Sequence, residues 1–461
     1  MKRPIGSSAL GFLFALFFTP AFAAEVLIPD TALKRVIWEN LQKAGPVGTL
    51  TEDDMLILKD LNAGSRGVMS LEGLGAAHNL TTLYVGQNQL TNLKLPAGLS
   101  SLTTLFVSEN QLTNLTLPAG LTSLTALYLS HNQLSDLSFL NGLTSLATLD
   151  LAQNGLTSLT LPAGLTSLTT LSLVLNRLTN LTLPPDLTSL TTLDLGQNQL
   201  ASLTLPAGLR SLTTLDLARN QLTSLTLPVG LTSLITLDLG YNQLTSVTLP
   251  AGLTNLTTLF LGLNQLTRLT LPAGLTSLAT LHASHNHLTS LTLPPDLPSL
   301  TQLYLHYNPL KDFSFLSGLP SLTHLSVGGT ESTSLTLPAG LTSLRYLDLG
   351  PFVGSLTLPE PLALGALAPL VARLTRDEVH VSIYLPGLKL TAIPRTGNGA
   401  GELQLDGPPG SYTMQVTAGF ADSLDWSDLT KVTIPQTGSV RTADPSANSR
   451  IHSFYRAVRS N

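Results

Sequence analysis

The chain has 461 residues, of which 11% are charged, with 23 Lys and Arg against 28 Asp and Glu and a formal net charge of -5. So few charges exclude a protein that neutralises nucleic-acid phosphates with a broad basic surface. A hydrophobic content of 43% argues against a disordered chain. The absence of cysteine excludes disulfides, thiolate metal sites and cysteine nucleophiles.

The first 23 residues have the pattern of a secretory signal peptide. Lys2 and Arg3 give a positive start, an apolar run follows from Ala9 to Phe18, and small residues precede an expected cleavage after Ala23. The apolar run is too short to span a membrane. We therefore expect a secreted or cell-surface protein without a transmembrane segment.

An asparagine recurs every 22 residues, within the pattern L-x-x-L-x-L-x-x-N-x-L. This period and pattern indicate a leucine-rich repeat. We expect each L-x-L to be a short strand of a stacked parallel sheet. Each asparagine amide should bond buried backbone groups of its own and neighbouring coils. The structural ladder comprises Asn88, Asn110, Asn132, Asn154, Asn176, Asn198, Asn220, Asn242, Asn264, Asn286 and Asn308.

The other side of each coil reads L-T-S-L-T-L-P-A-G-L and lacks helical periodicity, which predicts short extended or 3₁₀ pieces. Two units, at 134–143 and 310–319, carry an Asp-plus-Phe version instead. Ahead of the repeats, Pro29-Asp30 predicts the start of an amphipathic helix. Thr51 with Asp54 predicts a capping box for a second helix.

The composition changes divide the chain into five parts. These are a signal peptide (1–23), a helical N-terminal cap with a degenerate first repeat (24–79), the solenoid (80–358), a capping helix or linker (359–378) and a β-domain (379–461). Alternating apolar residues between Gly/Pro turns predict a small antiparallel β-sandwich for the last part. The predicted fold class is α/β but β-rich: a right-handed leucine-rich-repeat solenoid or horseshoe between these two ends.

The 22-residue period, the two Asp-plus-Phe units and the helical cap resemble the internalin-like bacterial leucine-rich-repeat family. The resemblance covers residues 25 to about 358. It implies secreted or surface proteins that bind other proteins on the concave sheet. The residues after 379 are similar to C-terminal β-modules that close secreted bacterial repeat proteins, which implies a cap or an attachment to the cell surface.

The residue between the two strand leucines points outward on the predicted concave face and varies from coil to coil. Its order is aromatic, then acidic, then aromatic with histidine. Outward aromatics are typical binding anchors, although they also pack across strands. Stacked Asp residues either attract a basic partner or cation, or keep the surface soluble. The predicted binding residues are Tyr84, Phe106, Tyr128, Asp150, Asp194, Asp216, Asp238, Phe260, His282, Tyr304, His306 and His324.

Five of the nine histidines fall close together, with Tyr304 and Tyr307 among them: His282, His285, His287, His306 and His324. His282, His306 and His324 are weak candidates for a zinc site, because imidazoles from neighbouring coils can share a metal. A polar, aromatic recognition patch or a pH-sensitive surface are the alternatives. No metal or other cofactor is predicted.

No catalytic motif stands out, so no catalytic residues are predicted and we expect a binding protein rather than an enzyme. The predicted function is recognition or adhesion, with a protein or peptide ligand on the concave face; the ligand is basic if the stacked Asp residues serve to attract it. The C-terminal module is a possible cell-surface attachment, and nucleic acid is not an expected partner. One alternative is a structural surface or matrix component without a specific ligand. A second is a carbohydrate- or metal-binding protein that uses the aromatic and histidine patches.

Overall fold

The computed structural model describes residues 24–332, 334–350, 355–359, 362–363 and 365–376, together with seven strands between 380 and 459. The signal peptide predicted over residues 1–23 lies outside the described residues. Through most of the described chain the fold is a parallel β-solenoid of the leucine-rich-repeat type, with few helices. Among the described helices, none combines the length and apolar content that crossing a bilayer requires.

The dominant element is a parallel sheet of 14 strands, one from each coil. Neighbouring strands pair without slippage, so that Thr192 lies opposite Thr214 and Asp194 opposite Asp216. We call the outward surface of this sheet the concave face, following the expectation for the repeat. Its strands are Asp60–Asn62, Thr82–Tyr84, Thr104–Phe106, Ala126–Tyr128, Thr148–Asp150, Thr170–Ser172, Thr192–Asp194, Thr214–Asp216, Thr236–Asp238, Thr258–Phe260, Thr280–His282, Gln302–Tyr304, His324–Ser326 and Tyr346–Asp348.

The return side of the coils is extended, as the sequence predicts, with short parallel pairs in place of one continuous sheet. Both Asp-plus-Phe units form 3₁₀ turns, at Ser138–Leu140 and Ser314–Gly318, and a third lies at Leu74–Ala76. The return strands are Asn92–Lys94, Asn114–Thr116, Ser158–Thr160, Asn180–Thr182, Ser224–Thr226, Ser246–Thr248, Arg268–Thr270, Ser290–Thr292, Ser334–Thr336 and Ser355–Pro359.

Leucines fill the space between the two sides. In a middle coil Leu193 and Leu195 have no exposed surface, and the same holds for their equivalents along most of the sheet. One coil alone could not bury these side chains, so stacking provides the hydrophobic stabilisation. The core is thus already full, and the outward side chains are not needed for it.

The asparagine ladder bonds consecutive coils. Asn198 donates from Nδ2 to the carbonyls of Leu173 and Leu195, each at 3.0 Å. Its Oδ1 accepts the N–H of Leu178 at 3.0 Å, in the preceding coil. The eleven ladder asparagines are all buried. The amides thus bond buried backbone groups of two adjacent coils.

The N-terminal cap covers the first coil. Helix α1 spans Thr31–Asn40 and is capped by Asp30, and helix α2 spans Glu52–Ile57 with both halves of the predicted capping box. Two short strands, Glu25–Val26 and Leu50–Thr51, pair antiparallel beside them. The cap thereby shields the apolar end of the stack from water.

At the other end, helix α3 spans Ala368–Arg376, and Leu367 and Val371 are buried beside the last coils. This helix lies within the segment 359–378, which the sequence predicts to be a capping helix or linker. The strands that follow are His380–Leu385, Leu388–Ile393, Gly401–Asp406, Gly410–Thr417, Ser427–Ile434, Ser439–Asp444 and Phe454–Arg459. They pair antiparallel with one another, which agrees with the predicted strand class. Their packing as a sandwich stays a prediction.

Candidate functional site

The first part of the concave face is a ladder of three stacked rings. Tyr84 and Phe106 lie face to face with centroids 4.1 Å apart, and Phe106 and Tyr128 follow at 4.2 Å. The rings are almost parallel, with interplanar angles of 7° and 2°. The parallel register of the strands imposes this stack, because equivalent side chains sit directly opposite each other. The ring faces between neighbours are therefore covered by other rings.

The middle of the concave face is acidic. Asp194, Asp216 and Asp238 occupy three consecutive coils, and Asp150 lies two coils before them. Each carboxylate accepts the backbone N–H two residues later, for example Gly196 to Asp194 at 3.0 Å. These Asp side chains thus have a structural task that the sequence analysis did not identify: they hold the chain as it leaves the strand. The other carboxylate oxygen is left for solvent or a ligand.

Burial and crowding make Asp194 and Asp238 costly to ionise. Burial raises the pKa of Asp194 and of Asp238, and the neighbouring Asp216 raises both further. The bonds from Gly196 and Gly240 and, for Asp238, the nearby charge of Arg219 oppose the shift without cancelling it. Within the described residues no Lys or Arg forms an ion pair with these carboxylates. A cation from outside would relieve this repulsion.

The C-terminal part of the concave face brings histidines together. His282 and His306 meet edge to face with centroids 5.9 Å apart, and His285 and His306 meet in the same way at 5.2 Å. Tyr304 packs beside His282 at 5.3 Å. Burial lowers the pKa of His282 and of His306, and neighbouring histidines lower both further. The neutral imidazole is therefore the favoured form.

A buried serine fixes the orientation of one of these rings. Ser326 is 2% exposed and donates its hydroxyl to Asp348 Oδ2 at 2.9 Å. Its oxygen lies 3.1 Å from His306 Nδ1, so Nδ1 is the donor of that bond. His306 is therefore held with Nε2 as its free acceptor.

The structure separates one predicted histidine from the others. His324 packs against Tyr346 at 5.7 Å and bonds the Thr323 hydroxyl, so it is engaged one coil beyond His306. Phe260 lies at the opposite border of the cluster, 6.1 Å from His282. Among the described residues, no three His, Asp or Glu side chains are arranged to hold a metal ion.

A second column of outward residues was missed by the sequence analysis, apart from His285 and Tyr307. It is the residue before each ladder asparagine, which always has a left-handed backbone, with φ between 53° and 59° from Gln87 to Tyr307. Several large side chains in this column are exposed, including Leu175, Tyr241 and Leu263. Because the position recurs every 22 residues, its variation could have been read from the sequence.

Family models match the solenoid. A model described as "Leucine Rich repeats (2 copies)" matches residues 122–163, 188–229, 210–251, 232–275 and 276–318, and one described as "Leucine rich repeat" matches 78–134. A search of curated proteins gives no match.

Solved structures share the architecture. An internalin, InlF from Listeria monocytogenes, is 27% identical with a TM-score of 0.55, and the match covers 74% of this chain and 93% of that one. The functional domain of InlJ from Listeria monocytogenes is 22% identical with a TM-score of 0.61, over 82% of this chain and 94% of that one. The second likeness concerns the fold alone.

Proposed function

This chain is an internalin-like bacterial leucine-rich-repeat protein, and from that premise we propose that its concave face binds a protein partner. One observation carries the proposal. Over a leucine core that is already full, the outward column changes from aromatic to acidic to aromatic with histidine. A sheet held by backbone pairing and buried amides loses little conformational entropy on binding.

The acidic middle favours a partner with basic side chains. Asp194, Asp216 and Asp238 are half-buried and lack an ion pair among the described residues. A Lys or Arg from a partner would be bound in a partly desolvated place, where charge pairs are stronger than in water. The aromatic ladder and the histidine cluster would provide contacts on either side.

Saccharide binding is less well supported by this geometry. A sugar ring stacks on the face of an aromatic side chain, and both faces of Phe106 are covered by Tyr84 and Tyr128. Only the outer faces of the two tyrosines are left. The ladder thus has the form of a protein contact surface rather than a sugar platform.

We further propose that the protein acts outside the cytoplasm. The support is the signal-peptide pattern of residues 1–23, together with the resemblance of the repeats to secreted proteins. Attachment to a cell surface through the strands after 380 is part of the same proposal. Catalysis is not proposed.

The test is capture of partners by residues 24–461, the form expected after cleavage, from surface proteins of the producing cell and its neighbours. A variant with D194N, D216N and D238N keeps the oxygen that accepts the backbone N–H and loses the charges. A control with E52Q, D53N and E72Q removes three exposed charges outside the concave face. The proposal predicts a partner retained by the control and lost from the concave variant. Capture of the same proteins by all three forms would contradict it, and no capture would favour a structural surface component.

A further inference from the structure

In five consecutive coils the residue just before the ladder asparagine has a large side chain, and these side chains form a row. We call this row the exit ridge, and it comprises Arg219, Tyr241, Leu263, His285 and Tyr307. All five have a left-handed backbone, with φ between 53° and 56°. Their N–H groups donate to the next coil, as in Tyr241 to the Gly262 carbonyl at 2.9 Å. The backbone is thus fixed at every step, and the order of the side chains along the solenoid is fixed with it.

The exit ridge is exposed and already ordered. Tyr241 is 47% exposed, Leu263 38% and Tyr307 51%. The guanidinium of Arg219 lies 4.0 Å from the centre of the Tyr241 ring, and His285 stacks on Tyr307 at 4.5 Å. Side chains held by such contacts lose little freedom when a partner covers them.

The position itself does not require apolar residues. In earlier coils it holds Gln87, Glu109, Gln153 and Gln197, with the same backbone conformation. Leu175 is the apolar exception upstream. Apolar and aromatic side chains therefore begin on the ridge with Tyr241, in the coil of Asp238, and continue beyond the acidic column with Leu263 and Tyr307.

The Asp column and the exit ridge run side by side in two coils. Asp216 and Asp238 belong to the same coils as Arg219 and Tyr241, three residues earlier. Five coils span about 19 Å at ~4.8 Å per strand, which is the length of about six residues of extended chain. In such a segment alternate side chains point to opposite sides.

We propose that the exit ridge and the Asp column together bind an extended protein segment in which Lys or Arg alternates with Leu or an aromatic residue. The basic side chains lie toward Asp216 and Asp238, and the apolar ones lie on Tyr241 and Leu263. This inference rests on the proposed function and names the chemistry of its partner. The charge of the column and the exposed apolar row supply the two complementary sides.

Three labelled synthetic peptides of the same length test this, by fluorescence anisotropy with the full chain from residue 24. One alternates Lys with Leu, one has the same residues in two blocks, and one alternates Lys with Ser. The alternating Lys-Leu peptide should bind about tenfold more tightly than the other two. Equal binding of all three, or binding of none, would overturn the proposal.

Matched variants locate the contact. Y241S with L263S should weaken the Lys-Leu peptide about tenfold, because both apolar contacts are lost. Q153S with Q197S changes the same position in other coils and should change binding less than about twofold. All four side chains lie outside the leucine core, and circular dichroism checks that both variants fold. If the variant with Y241S and L263S bound the Lys-Leu peptide undiminished, the proposed role of the exit ridge in binding would be refuted. If capture of the natural partner still required the three Asp residues, the proposed function would stand without it.

Discussion

Ser326 and Asp348 form a buried link between adjacent coils, with the serine hydroxyl donating to the carboxylate at 2.9 Å. The same hydroxyl oxygen accepts from His306, so the carboxylate acts on the imidazole through the serine. His306 is thereby held in a defined tautomer against His282 and His285. Burial and His285 lower the pKa of His306, and the Asp348 charge opposes this shift without cancelling it. The cluster that contains His282 and His306 can therefore change its charge with pH.

The histidine cluster should make the solenoid less stable in mild acid. The folded-state pKa values of His282 and His306 lie below the ordinary histidine value of about 6.5, so the unfolded chain binds more protons in mild acid. With both histidines neutral, the stability of the solenoid is unaffected above pH ~6.5. As the pH falls below that value and through their folded-state pKa values, the free energy of unfolding decreases. Thermal melting at pH 7.5 and 5.0 should show a drop that H282Q with H306Q reduces. Replacement of the exposed His131 by Gln should leave the drop unchanged, and an equal effect of both replacements would contradict the assignment.

Replacing the three central aspartates by asparagine should not lower stability. Asn keeps the acceptor for the N–H groups of Gly196, Ala218 and Gly240, and it removes charges that the fold disfavours. The raised pKa values of Asp194 and Asp238 mean that ionisation near neutral pH opposes folding.

Calorimetry at pH 7.5 and low salt should therefore give the Asn variant an equal or higher melting temperature. The difference should shrink in high salt, which screens the repulsion. The corresponding Ala variant should melt lower, because three N–H groups lose their acceptor. A clear loss of stability in the Asn variant would show that the charges themselves are stabilising.

Asn198→Leu should cost about 3 kcal/mol of unfolding free energy. The change leaves the N–H of Leu178 buried without its acceptor. It also removes one of two amide donors from each of the carbonyls of Leu173 and Leu195, which keep their bonds from Asn176 and Asn220. Urea unfolding followed by circular dichroism measures the loss. Asn92→Leu is the control, because Asn92 is exposed on a return strand, and its effect should stay within about 0.5 kcal/mol. Similar costs at both positions would contradict the role of the ladder.

Phe106→Leu should cost about 1–2 kcal/mol, because it removes two stacked pairs while keeping an apolar side chain. The loss should be smaller for Tyr84→Leu, which removes one pair at the end of the ladder. Chemical unfolding of the two variants checks the order. If Tyr84→Leu were the costlier change, the stack would not be the source of the stability.

The repeat, the strands, the asparagine ladder and both cap helices followed from the sequence, because spacing determines them. The 22-residue period by itself predicts which side chains of each coil point inward and which point outward. The hydrogen bonds within the site did not follow. Ser326 has no sequence mark that distinguishes it from many other serines, and its bonds depend on the separation of two coils. His324 equally fits the frame, yet it pairs with Tyr346 rather than with His306.

The stacked rings of Tyr84, Phe106 and Tyr128 also make one end of the concave face electrostatically different from its middle. Because neighbouring rings cover each other's faces, Tyr84, Phe106 and Tyr128 offer a partner their ring edges, which carry the positive end of the aromatic quadrupole. Asp150 lies on the coil next to Tyr128, and the three consecutive Asp residues begin with Asp194, three coils after Tyr128 and about 14 Å away. If the concave face binds a protein as proposed, carbonyl or carboxylate oxygens would be preferred at one end and ammonium groups in the middle. A partner that satisfies both can lie along the solenoid in one orientation but not in the reverse.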